Sequence, residues 1–232
     1  MGYLIFRGVS TASLQDVVVV TMPSHRKASM RYTEYYVKGR DGALHVDEGL
    51  ANFDLPPVRL GLLRANTNAR QLVNAWADGT GKLITSDDLT RAYKATVKEE
   101  IEWSRDYANG GFYDVATITF NCQPYMYEAQ DSVITLTQTG ALLNPGSATA
   151  LPLIQVNGSG FCSFTMNGTT VGIDGVTSGV PVYIDCENGY VWTESGPAAI
   201  TGEFPELGMG GNAVTLNSGI TSLVVTPHWR WI

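Results

Sequence analysis

Only one stretch of this chain carries apolar residues at helical spacing. Ala69, Leu72, Val73, Trp76 and Ala77 fall at i, i+3, i+4, i+7 and i+8, which predicts a single helix over residues 69–78. Asn68 is placed to cap it, Gln71 to complete a capping box, and Gly79 to end it in the left-handed region. The rest of the chain reads as strands and turns, so the fold class is mainly β.

Before the helix, "DVVVVTM" (16–22), "RYTEYYVKGRDG" (31–42) and "VRLGLLRA" (58–65) read as strands, the second running into a glycine turn. After it, "GKLITSDDLTRAYKATV" (81–97) reads as a hairpin around Ser-Asp-Asp. Alternation over 97–104 predicts one strand with Val97, Ile101 and Trp103 on one face and Lys98, Glu100, Glu102 and Ser104 on the other, with Glu99 interrupting the apolar face. A strand running through 112–124 puts Ala116, Ile118, Phe120 and Cys122 on one side. Long alternating strands of this kind can pair with a second subunit as readily as within one chain.

The last hundred residues are short strands and turns. "GFCSFTMNGTTVGI" (160–173) contains Asn-Gly, the strongest short hairpin signal. "PVYIDCENGYVWT" (181–193) and "NAVTLNSGITSLVVTP" (212–227) read as two more hairpins, and three in series predict an antiparallel sandwich. In the closing "TPHWRWI", alternation puts Val225, Trp229 and Trp231 on one face, sealing that sandwich, with His228 and Arg230 on the other.

Charge marks a boundary near "MYEAQDSVI" (126–134). Residues 1–130 hold 14 basic and 15 acidic side chains, and residues 131–232 hold 1 and 7. Two domains are therefore expected, 1–130 and 131–232. A net charge of −7 argues against nucleic-acid binding. No apolar run reaches the roughly 18 residues of a membrane span. The opening "MGYLIFRGVS" reads as a strand rather than a signal peptide or a myristoylation site, so synthesis in a cytoplasm is expected.

The search for chemistry returns little. Glu203 with Glu206, and Asp185 with Glu187, are the candidate carboxylate pairs for glycoside hydrolysis, but Pro and Gly around the first pair read as a loop. His25, His45 and His228 lie in unrelated contexts, with no nucleophile elbow and no metal-binding spacing. Cys122, Cys162 and Cys186 read as small buried hydrophobes, with a Cys162–Cys186 bridge as the other reading. The sequons "NGS" (157–159) and "NGT" (167–169) read as turns. No catalytic residue, metal site or cofactor is assigned, and a non-enzymatic protein is expected. Tyr190 and Trp192 share a face opposite Val191, with Tyr183 on the partner strand; they read either as core or as an aromatic surface for carbohydrate.

In order and spacing, "GRDGAL", "WADGTGKLITSDD", "YKATV" and "ATITFNCQPYMYE", then "VYIDCENGYVW", "GEFPELGMGGNAVTL" and "PHWRW", resemble the distal tail proteins of siphoviruses. The resemblance covers essentially the whole chain, in a short form without insertions. It implies an N-terminal domain related to tail-tube proteins and a C-terminal galectin-like or carbohydrate-module-like sandwich. It also implies a six-membered ring in the virion tail tip, with the tail tube protein, the tail-tip hub protein and receptor-binding parts as partners. A closed ring repeats one heterologous interface, and Val97, Ile101 and Trp103 are the candidate inter-subunit residues.

Overall fold

The structure, a computed structural model, describes residues 2–62, 67–108 and 111–232. The protein is mainly β, its sheets are antiparallel, and one α-helix occurs among the described residues. The chain divides into two compact units, residues 1–129 together with Ile232, and residues 130–231.

The first unit contains β1 (Leu4–Phe6), β2 (Val9–Ser10), β3 (Val17–Thr21), β4 (Met30–Tyr35), β5 (Leu44–Leu50), β6 (Phe53–Asp54) and β7 (Val58–Leu62). The helix α1 (Thr67–Trp76) follows, then β8 (Thr80–Thr85), β9 (Asp88–Val97), β10 (Glu102–Ala108), β11 (Gly111–Ile118) and β12 (Phe120–Glu128). One sheet runs β2-β1-β8-β9-β12, with β6 also paired to β12, and a second runs β10-β11-β7-β3. Both contribute to one core. Leu4, Phe6, Leu83 and Phe120 come from the first sheet, Leu60, Leu62 and Ala116 from the second, and Ala69, Val73, Trp76 and Ala77 from α1 and its C-terminal end. Leu72, on the fringe of the expected stripe, is exposed. The helix starts at Thr67, so Asn68 lies in the first turn and not at the cap. Periodicity locates a buried face better than it locates a terminus. Gly79 takes φ +77° as expected.

Two expected strands are corrected. The run 97–104 is not one strand: Val97 ends β9 in the first sheet, and Trp103 belongs to β10 in the second. Ile101 lies in the connection between them. Lys98, Glu99 and Glu100 are all exposed. A straight strand would turn every second one of these charges toward the core, and the desolvation cost favours a bend into solvent. Val97, Ile101 and Trp103 still pack, partly buried, against the core of their own unit. The run 112–124 likewise breaks at Thr119, where the chain passes from the second sheet to the first. Ala116, Ile118, Phe120 and Cys122 remain buried across the break because both sheets face the same core.

The second unit contains β13 (Ile134–Leu136), β14 (Gly140–Asn144), β15 (Leu153–Gly158), β16 (Gly160–Met166), β17 (Thr169–Val176) and β18 (Val182–Asp185). It continues with β19 (Tyr190–Thr193), β20 (Gly196–Pro197), β21 (Gly210–Leu216), β22 (Ile220–Thr226) and β23 (Arg230–Trp231). Sheets β13-β22-β15-β18-β19-β20 and β14-β21-β16-β17 form a sandwich. Ile154, Val156, Ile184, Leu223 and Val225 of one sheet meet Phe164, Met166, Val171, Ile173 and Val214 of the other. The β16–β17 hairpin turns on Asn167 (φ +50°) and Gly168 (φ +85°), the pair of left-handed residues a type I′ turn requires.

The expected third hairpin is also corrected, because β21 and β22 lie in different sheets. The "NSG" between them is a corner that bonds elsewhere. Ser159 N–H donates to the Gly219 carbonyl, Ser163 N–H to Ser218, and Asn217 N–H to Ser163. At Gly219, with φ +74°, an added Cβ would lie 2.2 Å from the Phe161 carbonyl oxygen. The glycine is therefore required by a close approach of backbone and not by a hairpin. At the chain's end Trp229 is buried in the sandwich core and Trp231 packs against it, while His228 leaves the strand conformation at φ +53°. The Arg230 guanidinium donates to the Thr149 carbonyl at 2.7 Å.

Candidate functional surfaces

In the first unit, β4 and β5 pair only with each other among the described strands. Tyr35 faces Leu44 and Thr33 faces Val46, which puts these four on one face; Tyr32 faces Asp47 and Glu34 faces His45 on the other. The first face carries exposed Tyr35, Leu44 and Val46, with Thr33 and an exposed Glu48 bonded to each other at its edge; Tyr36, just beyond β4, is 80% exposed. On the second face the Tyr32 and His45 rings lie 4.9 Å apart, and His45 Nε2 is 3.8 Å from Glu34 Oε1. Polar bonds close the arm: Gly49 N–H donates to Asp47 Oδ1, and Thr33 Oγ1 to Glu48 Oε1. A two-stranded hairpin alone is marginal in water, and an exposed apolar face rimmed by polar groups marks an interaction site.

The segment leading to this arm is pinned to the β8–β9 turn. His25 Nε2 is 2.8 Å from Asp87 Oδ2, and Nδ1 is 2.9 Å from Tyr93 Oη. Burial pushes the Tyr93 phenol up to about 12, so it stays protonated. This Asp-His-Tyr cluster joins residues 68 positions apart and left no local signal in the sequence.

Trp103 lies on β10, an edge of the second sheet. Its indole N–H donates to Asn74 Oδ1 of α1 at 3.2 Å, and the Arg70 guanidinium sits 5.3 Å from its ring centroid. The same Arg70 reaches Asp114 Oδ2 at 2.8 Å, and Arg105, directly across from Asp114 on β10, reaches Oδ1 at 3.2 Å. Although burial works against it, the bonds from both arginines hold the Asp114 carboxyl below the usual carboxylate range. A depressed folded value gives stability that is present above the ordinary carboxylate pKa of about 4 and is lost as pH falls through the folded value. Asp114→Asn is expected to cost roughly 2 kcal/mol at neutral pH, at the lower end for a buried ion pair because both arginines are partly exposed. Urea melts at pH 7 and pH 3 measure this: the difference between the two proteins narrows in acid.

In the second unit, Val191 is buried while Tyr190 and Trp192 point outward. Sequence alternation grouped these two correctly, and the structure places them on the outer face. Trp192 is directly across from Tyr183. The Tyr183 and Trp192 ring centroids are 5.2 Å apart and those of Tyr190 and Trp192 5.5 Å, each pair at 16° between planes. Beside Tyr190 and Trp192 runs a groove of about 480 Å³ lined also by Asp185, Asn188, Thr193, Glu194, Ser195 and Gly196. A second groove, about 620 Å³, lies between β17 and the 193–201 segment.

The other candidate residues are placed as follows. Asp185 Oδ1 accepts the Glu187 and Asn188 amides at 2.9 and 3.0 Å, and Oδ2 accepts Asn188 Nδ2 at 2.7 Å, so this carboxylate organises its own loop. Glu203 and Glu206 are exposed on the loop before β21. His228 Nδ1 is 3.3 Å from the Leu151 carbonyl. Cys122, Cys162 and Cys186 are buried and unbridged, and burial pushes the Cys122 and Cys186 thiols up to about 12. Among the described residues no group of three or more His, Cys, Asp or Glu is placed to hold a metal ion, and no helix is long and apolar enough to cross a membrane.

No protein-family model matches the chain, and no curated protein matches it. Among solved structures it is similar to the crystal structure of SPP1 Dit (gp 19.1), described as a paradigm of the hub adsorption apparatus in phages infecting Gram-positive bacteria. The likeness covers 100% of both chains with a TM-score of 0.71 at 16% sequence identity. At that identity it establishes the fold.

Proposed function

We propose that the protein is a non-enzymatic structural component of a phage tail tip. Copies of it close into a ring, hexameric by the sequence resemblance, that joins the tail tube to the hub and carries receptor-binding parts. Its place is the virion tail, after assembly in the host cytoplasm. The fold likeness over the whole chain supports this reading.

The observation that carries it is the β4–β5 arm. Its apolar face of Tyr35, Leu44 and Val46 is exposed on a hairpin with no third strand among those described. A neighbouring copy covering that face would supply the repeated heterologous contact a ring needs. The β10 edge is a second surface for the same role; Trp103 lies on it, and Val97 at the end of β9 and Ile101 in the connection pack with it against the core of their own unit. The test of location is labelling: gold-tagged antibody against this chain is expected to decorate the tail end of intact virions of the phage that encodes it. Decoration of the capsid, or none on disrupted tails, would reject the reading.

A further inference from the structure

We infer that the groove beside Tyr190 and Trp192 binds a neutral pyranose unit of a polysaccharide. This goes beyond ring assembly and does not depend on it.

The aromatic rings carry the first half of the argument. Tyr190 is 49% exposed although its neighbour Val191 is in the core. Burying Val191 therefore leaves a stack of three near-parallel rings on the outside of β18 and β19, with Trp192 in the middle. Tyr183 buttresses one end, and the groove opens beside the other two. With Trp192 stacked between the two tyrosines, the exposed Tyr190 ring is the one offered to the apolar C–H face of a sugar, and it loses little freedom on binding because stacking already fixes it.

The polar rim carries the second half. Ser195 supplies a hydroxyl and Glu194 a carboxylate, beside a Thr193 hydroxyl that donates to the Gly196 carbonyl and an Asn188 amide that donates to Asp185 Oδ2. These suit the adjacent hydroxyls of a pyranose, which need donors and acceptors close together. The Asp185 bonds to its own loop hold the rim in place before a ligand arrives. A volume of about 480 Å³ falls in the range of small-molecule sites. Charge selects the class. Among the described residues no Lys or Arg lines the groove and two acidic groups do, and residues 131–232 carry seven acidic side chains against one basic. A phosphate- or carboxylate-bearing polymer is repelled by that field, and a neutral one is not. Thr193 and Ser195 line both grooves of this unit, so a linear glycan has a route past the turn to a second subsite.

The test uses the full chain labelled with ¹⁵N and follows its five tryptophan indole resonances. Neutral hexasaccharides of glucose, galactose and mannose are titrated to about 10 mM, which detects millimolar binding. At least one is expected to shift Trp192 while leaving Trp76, Trp103 and Trp229 in place, and polygalacturonate is expected to leave Trp192 unmoved. Tyr190→Ala, at an exposed position that folding tolerates, is expected to weaken the binding about tenfold. Three outcomes overturn the inference: no neutral probe shifts Trp192, the affinity is unchanged in Tyr190→Ala, or the polyanion binds there more tightly than the neutral sugars.

Discussion

Trp76→Ala is expected to destabilise the first unit by about 3–5 kcal/mol, the usual cost of truncating a large buried aromatic. Trp76 is 5% exposed at the end of α1. Its ring meets Phe6 at 5.9 Å and Phe120 at 6.1 Å, both edge to face, and those two meet each other at 5.2 Å. The trio joins the helix to two strands of the first sheet, so one truncation opens a cavity where three elements converge. The indole N–H also donates to the Val9 carbonyl at 2.8 Å. That loss is the smaller part, since Val9 is exposed and water can replace the donor. Against a typical domain stability of 5–15 kcal/mol the effect is large. Hydrogen exchange checks it by region: amides of Leu60, Val73 and Phe120 are expected to exchange faster in the variant. Those of Ile154 and Val225, in a separate core, are expected to stay protected.

The second large effect is on association and leaves the folded core alone. Tyr35→Lys, Leu44→Lys and Val46→Lys alter one face of the β4–β5 arm at positions already in water. Each change alone should therefore shift the stability of the isolated chain by no more than about 0.5 kcal/mol, and in the triple variant the repulsion of two lysines at the opposed Tyr35–Leu44 pair should loosen the arm while the core of the first unit stays folded. In a ring the same face would be covered, and three lysines would bring more charge into the contact than the one carboxylate of that face, Glu48, can pair. A cost of about 2 kcal/mol or more at each site, some thirtyfold in association, is expected. Sedimentation of parent and triple variant at equal concentration measures it: the parent associates and the variant does not. Equal association of both would remove the arm from the interface.

How far the sequence led can be read from particular residues. The helix was legible because Ala69, Val73, Trp76 and Ala77 meet one core at one period. The β16–β17 turn was legible because Asn167 and Gly168 accept left-handed backbone that other residues resist. Alternation also marked Ala116, Ile118, Phe120 and Cys122 as inward, and they are. It did not show that the chain changes sheet at Thr119, because two sheets facing one core give the same alternation on either side of the break. The same ambiguity hid the bend at Lys98–Glu100. The corner at Gly219 resembled a hairpin because glycine serves a turn and a close backbone approach equally well. The groove was half legible: alternation grouped Tyr190 with Trp192, but only the burial of Val191 shows which face is outside. The Asp114 clamp and the His25 cluster join residues far apart in the chain, and no local pattern encodes them.

The central claim is that this chain closes into a ring, and native mass spectrometry of the purified full-length protein tests it most directly. Six copies of the 25.1 kDa chain give a single closed species of about 150 kDa, with no larger open series, and that is the predicted result. A protein that stays at the mass of one chain at every concentration, and still does so when mixed with the tail tube protein and the hub protein, would contradict it.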